Sequence, residues 1–217
     1  MLRLLTTGIT RTLDVIHLVF FDQCRTGDVT EVERTLDGGV INVDTQDPAD
    51  GGKTALMVAG ERAHVEVVRL LLERHASPNI QERIGGHTAL HLICRHGRVD
   101  SDHIEVVRLL LHFGADPNIA GRFDITPLHR ACYNRSVDLL CLLIEGGSDM
   151  HRQDNIGWTA LRRVCDVGHL DVVEVLLRRG ADPHATEGDG RSCFEWARAG
   201  GHRDVLAVLE MHMKELG

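Results

Sequence analysis

Aromatic residues are scarce in this 217-residue sequence: two Trp, one Tyr and five Phe make up 4% of it, so the position of each ring carries information. No apolar run approaches the roughly 20 residues needed to span a bilayer. A basic surplus is also missing. The 24 Lys and Arg face 32 Asp and Glu, for a formal charge of −8 and a pI near 5.9. That balance excludes general binding to nucleic-acid phosphates or anionic membrane. Residues 1–13 lack acids and carry Arg3, Arg11 and several threonines. This composition is shared by mitochondrial presequences and by plain apolar extensions, and both readings stay open. The run from Val15 to Phe21 is too short and too interrupted for a secretory signal. The expected setting is cytoplasmic or nuclear, with mitochondrial targeting by residues 1–13 as the minor alternative. The remainder, 43% hydrophobic and 26% charged, is ordinary for a soluble globular chain.

The feature that stands out is self-similarity. Thr54-Ala-Leu-Met, Thr88-Ala-Leu-His, Thr126-Pro-Leu-His, Thr159-Ala-Leu-Arg and Ser192-Cys-Phe-Glu start 34, 38, 33 and 33 residues apart. Behind each of the first four comes a doublet pair: Val67-Val68 with Leu71-Leu72, Val106-Val107 with Leu110-Leu111, Leu139-Leu140 with Leu143-Ile144, and Val172-Val173 with Leu176-Leu177. A closing tripeptide follows at His75, Gly114, Gly147 and Gly180. Each threonine stands where a helix N-cap hydroxyl can accept a backbone N–H. Ser192 with Glu195 makes a full capping box, and Pro127 occupies the first helical turn, where its missing N–H does no harm. Gly39, Gly114, Gly147 and Gly180 suit left-handed helix ends, so His75 in that slot should be strained. Gly27, Gly97, Gly168 and Gly201 fit the turn between paired helices. Ala63 and Arg135 depart from it, and their turns are expected to be destabilised or differently shaped.

The period, together with Thr126-Pro-Leu-His129 and Gly114-Ala-Asp116, resembles the ankyrin repeat family over about residues 14–215. The resemblance implies an all-α repeat solenoid of stacked helix-turn-helix units with β-hairpin finger loops. Residues 1–12 form an N-terminal extension, and 13–217 form a single domain. Its units run about 13–44, 50–83, 84–121, 122–154, 155–187 and 188–215, the first and last acting as caps. Residues 98–102 lengthen one turn, with Ser101 or Asp102 expected to cap the next helix.

Several motifs dissolve into the repeat register. Gly52-Lys53-Thr54 lacks the upstream glycine of a phosphate loop: Asp47 stands there instead. Cys24, Cys94, Cys132 and Cys165 share one inner-helix position, where cysteine serves as a small buried hydrophobe. Inner helices about 8–10 Å apart hold such thiols too far apart for disulfides. His91, Cys94 and His96 make the best metal candidate, yet His91 has its capping role and Cys94 faces the core. No metal site, cofactor or catalytic Cys–His or Ser–His trio is expected.

In the ankyrin family, partners dock on a concave face of fingertips and inner helices. By register that face includes Lys53, Arg62, Arg95, His96, Arg122, Phe123, Ile125, Tyr133, Asn134, Ile156 and Trp158. Phe123, Tyr133 and Trp158 fall in neighbouring slots and, with Ile125 and Ile156, would form an exposed apolar patch of the kind that marks interfaces. The alternative is that a finger aromatic packs on the next finger, with Phe123 the first candidate. Arg130, Arg162 and Arg163 nearby tip the region towards positive charge. The resemblance therefore implies a monomeric, non-enzymatic interaction module (adaptor, scaffold or inhibitor) that binds a protein partner through an acidic or apolar segment. Other readings are a stand-alone regulator or assembly chaperone of an enzyme complex, and a substrate for asparagine hydroxylation. Asn79 and Asn118 occupy the position that resembles the family's modified asparagine, which is held later by His151 and His184. With no substrate-recruiting segment after the last repeat, a self-contained ubiquitin-ligase adaptor is not expected.

Overall fold

Short helices follow one another in pairs because each repeat carries two apolar stripes separated by a turn. The computed structural model describes residues 15–95, 97, 99–184 and 190–216. The extension 1–12 lies outside them, as do His96 and Asp189. Helix α1 covers 15–26 and α2 Val29–Asp37. Strands β1 (Gln46–Asp47) and β2 (Lys53–Thr54) pair antiparallel around a 3-10 turn at Pro48–Asp50. Then come α3 (Ala55–Glu61), α4 (Val65–Glu73), α5 (Ala89–Cys94), α6 (Ser101–His112), α7 (Pro127–Ala131) and α8 (Val137–Glu145). The last are α9 (Ala160–Val167), α10 (Leu170–Arg178), α11 (Cys193–Ala199) and α12 (Arg203–Leu216). None of the described helices is long and apolar enough to cross a membrane.

The caps follow from the letters. Thr54, Thr126 and Thr159 accept the N–H of Met57, His129 and Arg162, and Ser192 and Glu195 form their capping box. Histidine at the third helical position closes a second bond: His91 Nδ1 accepts from Thr88 N at 3.2 Å, and His129 Nδ1 from Thr126 N at 3.2 Å. The lengthened turn departs from expectation. Asp100, not Ser101 or Asp102, caps α6, accepting from His103 N at 3.1 Å. Much of the insertion is absorbed into the helix itself, which has 12 residues against nine in α4, α8 and α10.

The chain divides into two compact units. In the first (residues 1–93 and 100–115), the doublets of α4 and α6 and the apolar positions of α3 and α5 bury Val67, Val68, Leu71, Val106, Val107, Leu110, Leu56 and Leu90. Phe20, Phe21 and Val32 close the core on the N-terminal side. In the second (94–99 and 116–217), Leu128, Leu139, Leu140, Leu143, Leu161, Val164, Val172, Val173, Leu176, Val205 and Leu209 are buried. A histidine of one helix pair seals the turn of the pair before it. His202 Nε2 donates to the Asp166 carbonyl at 2.9 Å, and a Cβ on Gly168 (φ +82°) would collide with that ring. His64 does the same with Arg25 O at 3.0 Å, against Gly27.

The turns at Ala63 and Arg135 keep the left-handed form found at Gly27 and Gly168. Their φ values are +57° and +56°, and His75 stands at +66°. Repeat geometry therefore overrides the residue, and the side chain carries the strain. Replacing Ala63 or His75 with glycine is expected to raise stability by about 0.5–1 kcal/mol, read as an upward shift of the urea midpoint. A lower midpoint would show that the side chain contributes more than its backbone strain costs.

Candidate partner-binding surface

The fingers are built around a carboxylate at their base. In the second unit, Asp154 accepts N–H groups from Ile156 and Trp158, each at 2.9 Å, and its other oxygen meets Arg163 Nη2. The Asp154 N–H and the Trp158 carbonyl close the loop at 3.0 Å. Burial works to raise the Asp154 pKa, but the Trp158 and Ile156 N–H groups and Arg163 outweigh it, and the carboxyl stays below its ordinary value. In the first unit Glu82 does the same, accepting from Ile84, Gly85 and His87 N. The finger before Asp154 has Gly121 at that base, so no carboxylate braces it. There Phe123 and Asp124 adopt φ of +65° and +55°, a region that L-residues avoid. Phe123 is 53% exposed, and the Arg122 guanidinium lies 4.8 Å from its ring centre.

Behind these fingers stands a stack of alternating rings and guanidiniums. Arg162 Cζ lies 3.2 Å from the Trp158 ring centre and 3.8 Å from that of Trp196. Arg162 is fully buried, with Nη1 3.7 Å from the Asp166 carboxylate. Arg191 Cζ lies 4.9 Å from the Trp196 ring centre. At the other end Arg163 lies 5.4 Å from Trp158 and 5.8 Å from Tyr133, and its Nη1 donates to the Tyr133 hydroxyl at 2.6 Å. The order follows from spacing. Trp158 and Arg162 are four residues apart across the Thr159 cap, and Trp196 holds the fourth position after the Ser192 cap on α11, which packs on α9. His129 locks the Trp158 backbone: its Nδ1 accepts from Thr126 N, so Nε2 carries the proton and donates to the Trp158 carbonyl at 3.0 Å. Burial, then Arg163, hold the His129 pKa below the ordinary value, which keeps the ring neutral.

The residues picked out by register divide accordingly. Tyr133 and Ile156 are 50% and 52% exposed, while Ile125 and Trp158 are half-buried. Trp158 therefore does not belong to an exposed patch: its ring lies against Arg162. Asn134 Nδ2 donates to the Cys94 carbonyl at 2.7 Å, and Arg95 and Arg122 are exposed. In the first unit Lys53 is held by Glu61 at 2.7 Å and Asp50 at 3.6 Å, so its charge is met within the chain. Arg62, at the end of α3, is exposed. Asn79 Nδ2 donates to Gly114 O at 2.9 Å, and Asn118 Nδ2 to Gly147 O at 2.8 Å, so each ties its loop to a following helix end. His151 and His184 are exposed.

Trp196 and Asp154 escaped the sequence reading as site residues, and Arg162 and Arg163 entered it only as positive charge. The available signals were Trp158 and Arg162 at helical spacing, and an acid five or six residues before the cap threonine in two fingers. Among the described residues no His, Cys, Asp and Glu cluster could hold a metal. Cys24, Cys94, Cys132 and Cys165 are buried free thiols. Burial pushes the Cys24 and Cys132 pKa up to about 12. Cys165 is raised first by a hydrogen bond with Cys193 of α11, then by burial.

The comparisons with known proteins agree with this architecture. No curated protein sequence matches the chain. Among solved structures, an ankyrin repeat domain from Acinetobacter baumannii is 25% identical and superposes with a TM-score of 0.79, covering 90% of this chain and 98% of that one. The family model for ankyrin repeats matches three times, over residues 21–121, 99–187 and 128–213. With matches running almost end to end and cap, turn and finger geometry to accompany them, the chain belongs to the ankyrin repeat family.

Proposed function

We propose that this chain is an interaction module, an adaptor, scaffold or inhibitor, that grips a protein partner on the finger and inner-helix face of its second unit. Ankyrin repeat domains generally mediate protein–protein interaction and are typically non-enzymatic. The observation that carries the reading is the exposure of Phe123, Tyr133 and Ile156, each about half open to solvent within adjoining fingers and helices. Asn155 N donates to Phe123 O at 3.0 Å, which sets Ile156 beside the Phe123 finger. Tyr133 joins them through Arg163 and Asp154. The left-handed backbone of Phe123 and Asp124 costs of order 1 kcal/mol or more per residue. It holds an apolar ring in water, a cost that a bound partner offsets.

The test is capture of partners by the full chain against Phe123→Ala, Tyr133→Ala and Ile156→Ala, with circular dichroism melts confirming the fold. Truncating a ring in an interface centre weakens binding by about 30-fold. At least one of the two ring variants is expected to lose the wild-type partners at that scale. Retention of the same partners by all three variants would place the interface elsewhere. Trp158 is a poor probe, because its removal opens the Arg162 stack.

A further inference from the structure

The first helix pair has no pair before it, and its upstream face is not polar. Cys24 shares its inner-helix position with Cys94, Cys132 and Cys165, each six residues after the cap threonine at 88, 126 or 159. The same count back from Cys24 puts Leu18 in the cap slot and Val19 in the slot after it. In the later units that second slot holds Ala55, Ala89, Pro127, Ala160 and Cys193, all of them buried. Val19 is 47% exposed instead, and Val15 and Leu18 are 58% and 63% exposed. Spacings of three and four put Val15, Leu18, Val19 and Asp22 on one face of α1. A groove of about 520 Å³ opens along it, lined by Leu18, Val19, Asp22, Arg25 and Asp28 among others. Three large apolar side chains on one helix stripe form the kind of patch that takes a cover.

We propose that residues 1–13 of the same chain are the occupant of this α1 face. Charge and polarity match. The segment offers Leu2, Leu4, Leu5, Ile9 and Leu13 together with Arg3 and Arg11, and it carries no acid. The rim of the groove has the opposite sign: Asp22 and Asp28 are exposed, and Arg25 is already met by Asp22 at 3.6 Å and Asp50 at 3.9 Å. Reach is sufficient. From residue 15 to residue 26 the helix spans about 17 Å, whereas thirteen residues extend to at most roughly 43 Å. Attachment then decides between this segment and a second copy. A short tether holds the segment near the face at an effective concentration of order 1 mM. A second copy at about 10 µM is a hundredfold more dilute, and it brings its own Asp22 and Asp28 against acids of the same sign. Nothing in this depends on the docking surface of the second unit.

Hydrogen exchange on the full chain tests the contact, with circular dichroism melts confirming the fold of each variant. Leu4→Ser/Leu5→Ser/Ile9→Ser is expected to speed exchange over 15–26 about tenfold and to leave 65–73, in α4, unchanged. Arg3→Gln/Arg11→Gln should speed it about threefold at low salt, an effect that disappears by about 0.5 M salt. A double-mutant cycle locates the contact on the α1 face. In a Leu18→Ser background the segment substitutions should add less than about twofold, because the surface they touch is already impaired. Unchanged exchange in the Leu4/Leu5/Ile9 variant, or an equal effect with and without Leu18→Ser, overturns the proposal. So does a sedimenting dimer whose 15–26 protection falls on dilution and is abolished by Leu18→Ser, since the face then belongs to a second copy.

Discussion

Replacing Arg162 with alanine is expected to lower the unfolding free energy by about 3–5 kcal/mol. Three losses act together. The side chain is fully buried, so its removal leaves a cavity between two indoles. A desolvated cation over an aromatic face is worth about 2 kcal/mol or more, and here there are two faces. The third loss is mechanical: Arg162 links Trp158 on the finger to Trp196 on α11, so the last helix pair loses a contact with α9. In a repeat protein such nearest-neighbour contacts carry much of the stability, so α11 and α12 should loosen first. Urea unfolding gives the energy, and hydrogen exchange over 193–214 gives the place. Arg162→Lys should fall between wild type and alanine, because a compact ammonium covers less of the two rings, which are tilted 56° to one another. Arg162→Met separates packing from charge. A Met variant as stable as wild type would show that volume alone holds the rings apart, and the electrostatic part of this account would be wrong.

What could be read from the sequence follows a physical line. Local rules survive into the structure because they need only neighbours along the chain. The Thr54, Thr126 and Thr159 caps, the Ser192–Glu195 box, the Pro127 start and the left-handed slot at Gly114 are all of this kind. Even the strain at His75 and Ala63 was implied, since the register assigned those residues to slots that prefer glycine. The helix boundary at Asp100 was less visible, because Asp100, Ser101 and Asp102 can all cap and the winner depends on where His103 packs. Side chains that meet across repeats were less legible still. The finger position of Trp158 predicts an outward ring, which instead lies against Arg162 and Trp196, a cation and a second ring. Register places Lys53 on the docking face but does not reveal that Glu61 and Asp50 lie beside it and meet its charge. Phe123 differs again: Gly121 in place of a basal acid is legible in the sequence, but only the three-dimensional structure shows that the finger is bent into left-handed backbone.

Asp154 should prove nearly as costly to remove as Arg162, and its cost should depend on pH. Asp154→Ala takes away the acceptor of the Ile156 and Trp158 N–H groups and leaves Arg163, itself largely buried, without its carboxylate. Breaking one side of such a pair costs about 3–5 kcal/mol. Asp154→Asn keeps an oxygen for the backbone but turns an NH2 donor towards Arg163, so it loses the charge and that bond yet should still cost less than alanine. The Asp154 pKa is lower in the folded protein than in the unfolded chain, where a carboxyl titrates near about 4. The unfolded state therefore binds the proton more readily. The contribution of Asp154 is fully present above that unfolded value and fades as pH falls through the lower, folded one. His129 acts in a different window. Its folded pKa is depressed by burial and Arg163, so its contribution is complete above the unfolded histidine value of about 6.5 and declines as pH falls below it. Glu82, lowered in the first unit, keeps some carboxylate dependence in any Asp154 variant. Urea midpoints from pH 8 to about 3 should thus run parallel for wild type and Asp154→Asn down to about pH 5, then converge as the wild type loses the difference. Curves that stay parallel to the lowest pH would mean that the Asp154 carboxylate is no more stable in the folded chain than in the unfolded one. Its bond to Arg163 would then position the finger without adding net free energy.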